Sequence, residues 1–138
     1  MGLRASINLP RVDVARSIDA LDRYMAEFSI IACRTWVIAI GDYVPVWTGG
    51  TKASFWKAAF LAGVGLSIDP VHFPDRIDLG IAESSTELIR EKGKKYGFEW
   101  GSDLFYIHIV DARVDFLGVG IASLRPLIPE LPPPVYQS

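Results

Sequence analysis

The residues of this chain that could do chemistry are few and scattered. There are two histidines. His72 lies between Asp69 and Asp75 in a turn-rich segment, and three donors at that irregular spacing fall short of a zinc signature. His108 alternates with apolar neighbours and reads as an ordinary strand histidine rather than a general base. Asp75 with Asp78, and Glu87 with Glu91, fit solvated loop and helix-face charges better than an acid–base pair. Cys33 is the single cysteine, so no intrachain disulfide can form; within Ile30-Ile31-Ala32-Cys33 it reads as a buried thiol. The phosphate-loop, Gly-x-Gly-x-x-Gly, His-Glu-x-x-His and Gly-x-Ser-x-Gly patterns do not occur. In Lys52-Ala53-Ser54-Phe55-Trp56-Lys57, bases flank aromatics, but a stacking platform for nucleic acid needs a longer positive groove. Phe55 or Trp56 is expected in the core instead. No catalytic residue, metal or cofactor is assigned, and assembly rather than catalysis is expected.

The elements that would position these residues belong to one α+β domain. At 138 residues, 50% apolar and 12% aromatic, the chain suits a single core, and a net charge of −2 exerts no general pull toward nucleic acid. No apolar run approaches the roughly 18 residues that span a bilayer. Val14, Ile18, Leu21, Met25, Phe28, Ala32, Thr35 and Ala39 recur at helical spacing, which predicts a long helix over about 10–40. Asn8 and Pro10 are expected to open it, and Gly41 to close it. From Ile30 onward its apolar content widens, as if buried on more than one side.

Beyond it, residues 43–51 read as a loop with Gly49-Gly50 at the tip, and 54–66 as an aromatic strand or short helix. Ile77, Leu79 and Ile81 alternate as a short strand. Ser84-x-x-Glu87 reads as a capping box opening a short second helix toward Lys95. The runs 104–110 and 114–121 are expected to be paired strands. The fold class expected is therefore a long N-terminal helix packed on a small, mainly antiparallel sheet, with a second short helix. The domain covers 1–125, and 126–138 forms an extended arm with prolines at 126, 129, 132, 133 and 134.

One segment resembles a known family. Val44-Pro45-Val46-Trp47-Thr48-Gly49-Gly50-Thr51-Lys52-Ala53-Ser54 is similar to the Pro-Val-Asp-Thr-Gly-x-x-x-x-x-Ser stretch of tail-completion and neck proteins of tailed bacteriophages. Tyr96-Gly97-Phe98-Glu99-Trp100-Gly101 is similar to that family's Tyr-x-x-Glu-x-Gly element, so the likeness runs over roughly 12–101. Trp47 stands where the family carries an acidic residue, and the segments after Gly101 differ from its short C-terminal element. The resemblance implies a structural virion component that is made in the host cytoplasm. It would form a homo-oligomeric ring at the head–tail junction or tail top, beside neck, portal-adaptor or tail-tube proteins. DNA would pass through the lumen without sequence-specific binding, and no membrane is involved. The interaction residues it implies are Thr48, Gly49, Gly50, Lys52, Ser54, Glu99 and Gly101, joined by Pro132, Pro133 and Pro134 of the arm. The competing expectation is a small ligand-binding protein or enzyme whose apolar pocket is lined by Trp36, Trp47, Trp56 and Trp100.

Overall fold

The computed structural model describes residues 2–9, 18–43, 50–65, 74–89, 96–104, 107–128 and 135–137. Strand β1 (Leu3–Asn8) precedes the long helix α1 (Ile18–Tyr43), the short helices α2 (Gly50–Ala53) and α3 (Trp56–Leu61), and α4 (Pro74–Ala82). Strands β2 (Ser84–Ile89) and β3 (Gly97–Ser102) follow, then α5 (Ile107–Val114), α6 (Phe116–Leu124) and a terminal strand, β4 (Val135–Gln137). The sheet is antiparallel throughout and ordered β2-β3-β1-β4. The expected α+β class, with helices on a small antiparallel sheet, is what forms.

Period-two alternation sets the sheet's two faces. Leu3, Ala5 and Ile7 lie opposite Ser102, Trp100 and Phe98 and are buried against the helices. Arg4, Ser6 and Glu99 occupy the other face. Helix α1 buries Met25, Ser29, Ala32, Cys33, Trp36, Val37 and Ile40, a row at three- and four-residue steps. It packs on α3, α6 and β3, yet Ile31 and Ile38 of the widened apolar stretch face solvent, so that half is not buried all round. Ala58, Ala59 and Ala62 present small side chains where α3 crosses α1.

The core is an aromatic cluster. Phe55 stacks on Trp100 at 4.6 Å, and Trp36 meets Phe55, Phe98 and Trp100 at 5.1 to 5.9 Å. Phe116 closes the cluster edge-on to Phe55 and Trp100. Gly120 lets α6 lie against α1: a Cβ there would meet Trp36 Cδ1 at 2.6 Å and Ile40 Cδ1 at 2.7 Å. Gly97, at φ +150°, is required because a Cβ would collide with the Ile7 carbonyl.

Several expected elements are replaced. Asn8 ends β1 rather than capping a helix, and α1 runs through Gly41 to Tyr43. The aromatic stretch after Ser54 is helix α3, not a strand, since Ala58, Ala59 and Ala62 bury one helical face. Ile77–Ile81 lies in α4, which Pro74 opens at the first-turn position where proline is tolerated. Ser84–Ile89 is strand β2, not a capped helix. Ser84 Oγ donates back to the Ile81 carbonyl, and the strand pairs with β3 along its length. The two strands expected over 104–121 are helices α5 and α6. They are separated at Asp115, whose φ of 50° breaks the helix while its carboxylate accepts the Gly118 N–H. The tip of the C-terminal segment adds to its own sheet as β4; Pro132, Pro133 and Pro134 lie outside the described residues.

Candidate interaction surfaces

Phe55 and Trp56 are neighbours in sequence with opposite fates. Helix α3 turns Phe55 into the core, while Trp56 is 40% exposed and stacks on Phe60, four residues on, at 5.6 Å and 12°. Phe60 is 69% exposed and Leu61 lies beside it in sequence, also exposed. Helix α1 carries a matching feature. Its outer stripe reads Glu27, Ile31, Arg34, Ile38, Asp42, and both isoleucines in it face solvent. Arg34 Nε donates to the Ala62 carbonyl at 3.0 Å and so ties this stripe to the end of α3. Among the described residues, two adjoining helices thus expose large apolar side chains.

The second surface is the outer sheet face. Arg4 lies over Gly101, where a Cβ would meet the arginine Cγ at 3.2 Å. Its guanidinium reaches Ser85 Oγ at 3.3 Å and Asp103 at 3.6 Å. Ser6 donates to Glu99 at 3.3 Å, and Glu87 stands directly across the ladder from Glu99, a repulsive pairing on an exposed face. Arg4, Ser6, Ser85, Glu87 and Glu99 line a polar hollow of about 210 Å³. A second hollow, of about 230 Å³, lies between Val37, Ile38, Asp42, Lys52 and Val64.

The residues singled out from sequence divide among these places. Thr48 and Gly49 lie outside the described residues. Gly50 is the first residue of α2 rather than a loop tip, and Lys52 is half-buried in that helix. Ser54 is buried; its hydroxyl donates to the Thr51 carbonyl at 2.5 Å, and its own carbonyl accepts the Trp100 indole N–H at 2.9 Å. Ser54 is thus a core anchor. Glu99 and Gly101 share the outer sheet face, away from Ser54 and Lys52.

Of the four tryptophans, Trp36 and Trp100 are filled into the core, Trp56 is on the surface, and Trp47 lies outside the described residues. His72 and Asp69 also lie outside them, and His108 belongs to α5 rather than to a strand. Among the described residues no cluster of His, Cys, Asp and Glu is placed to hold a metal. Cys33 is buried, its thiol pushed up to about 12 by burial. Among the described residues no helix is long and apolar enough to cross a membrane.

Sequence reasoning missed Phe60 as a surface residue and Arg4 and Ser6 as sheet-face residues. The signals were the four-residue Trp56–Phe60 spacing beside alanines, and the alternation Leu3, Ala5, Ile7. No family profile, curated protein or solved structure matches the chain.

Proposed function

We propose that the chain is a structural virion protein of a tailed bacteriophage. It would be one subunit of a ring at the head–tail junction or tail top that joins neighbouring neck, portal-adaptor or tail-tube proteins. The observation that carries this reading is the exposed Trp56–Phe60 stack, set beside Ile31 and Ile38 on the adjoining helix. A chain with a filled aromatic core gains nothing by leaving a second aromatic pair in water, whereas a neighbouring copy that covers it does. Ring closure needs such a patch on one side of the subunit and a complementary surface on the other. The likeness of residues 44–54 and 96–101 to tail-completion proteins supports the same reading. An extended proline-rich arm reaching a neighbour belongs to it.

Native mass spectrometry across a range of concentrations tests the idea. A closed oligomer is expected for the natural sequence, and monomer for Phe60→Glu. A natural chain that stays monomeric alone and with head and tail components, or that turns over a small molecule, overturns it.

A further inference from the structure

The two sides of the sheet are finished differently. Strand β2 forms one edge, with Ser85 and Glu87 exposed. The carbonyls at its two ends are taken by side chains: Lys57 Nζ donates to that of Ser84 at 2.8 Å, and Ser29 Oγ to that of Ile89 at 3.3 Å. Strand β1 would form the other edge but for β4. It is six residues long, is paired with β3 along its whole length, and buries Leu3, Ala5 and Ile7 on the helix side. Left bare, such a strand presents a row of unpaired backbone groups, which is a template for pairing with another chain.

We propose that β4 is an edge guard: lying along Arg4–Ser6 of its own chain, it keeps β1 from pairing with the same edge of a second copy. The register is Arg4↔Gln137, Ala5↔Tyr136 and Ser6↔Val135, so the guard covers the middle of β1. The edge that it offers in exchange is three residues long, and very short edge strands are poor templates. The needs of the fold do not account for it, because β1 has its ladder to β3 and its buried face without it. A guard of this kind acts whether or not the chain forms a ring.

Tyr136 fastens the guard. It stands opposite buried Ala5 and is itself 46% exposed, with Asp111, Asp115 and Arg125 of the α5–α6 corner within electrostatic reach of its phenol. Partial burial, and then the two carboxylates, push that phenol up to about 12, so it sits beside the corner un-ionised. The strand is thus held by the β1 ladder and by the partly buried tyrosine.

The test compares the natural chain with Tyr136→Pro, whose ring and missing N–H do not suit the ladder, and with a chain ended at Pro134. Both variants are expected to keep the natural far-UV circular dichroism spectrum. In sedimentation velocity both should form species beyond those of the natural chain, with a weight-average mass about twofold or more higher that rises with concentration. Hydrogen exchange should find residues 4–6 still protected in those species, a second β1 having taken the place of β4. Variants that keep the natural spectrum and the natural mass distribution overturn the guard. So do larger species in which residues 4–6 exchange freely, since they are joined elsewhere. Loss of the native spectrum in both variants overturns it as well, because β4 would then be part of what holds the fold.

Discussion

Two aromatic groups in this molecule invite comparison. Trp36, Phe55, Phe98, Trp100 and Phe116 pack ring against ring in the core, while Trp56 and Phe60 stack on each other in the open. The chemistry is the same and the pair geometry comparable; what differs is the supply of partners. The core rings are enclosed by helices α1, α3 and α6 and the sheet, the outer pair by nothing among the described residues. The core group therefore serves folding, and on the reading proposed above the outer pair serves another molecule.

The comparison can be broken most forcefully at Trp100. Trp100→Ala removes a ring that stacks on Phe55 and an N–H that holds the Ser54 carbonyl. It is expected to cost about 3–5 kcal/mol in urea unfolding, with assembly lost as a consequence. A loss below ~1 kcal/mol would mean that the cluster is not what holds the fold.

Gly120→Ala should come next. The added methyl enters space held by the Trp36 ring, for a cost of about 1–3 kcal/mol. Gly65→Ala, in open space, is the control and should be near neutral.

Phe60→Glu sharpens the contrast from the other side. Stability should fall by less than about 1.5 kcal/mol, the scale of one aromatic pair, while the oligomer dissociates. A large stability loss instead would place Phe60 with the core.

The smallest effect is expected at Cys33, whose thiol should resist disulfide-exchange reagents at pH 8 until urea is added. Its folded pKa is raised above its ordinary value of 9.0 to about 12, so its stabilising contribution is complete below pH 9. That contribution declines as pH rises toward 12. The pH slope of Cys33→Ala should be shallower over that window.

The long helix was legible in the sequence because Ile18, Leu21, Met25, Phe28, Ala32, Thr35 and Ala39 recur at steps of three and four, although toward its end the buried face runs through Trp36 and Ile40 rather than Thr35 and Ala39. Shorter elements were not, for reasons visible in their residues. Leu104, Ile107, Val110 and Val114 fit a helical step, while Phe105, Ile107 and Ile109 fit alternation; a run apolar on both parities does not choose between them. Ser84-x-x-Glu87 has the residues of a capping box, yet pairing with Gly97–Ser102 overrides that local preference. Strand β1 was overlooked although Leu3, Ala5 and Ile7 alternate cleanly. For the candidate surfaces, the loop motif gave prominence to Ser54, whose role is internal. Phe60 could not be told from a core phenylalanine until its helix face was known.

Strand β1 is synthesised early yet lies between two strands that come late: Leu3 pairs with Ser102, and Arg4 with Gln137. Contacts so distant along the chain make for slow folding, because the loop must close before its pairing brings any gain. While the polypeptide is still growing, Leu3, Ala5 and Ile7 have no sheet to join until β3 has emerged. That interval is when the nascent chain is most exposed to aggregation, and when a chaperone would contribute most.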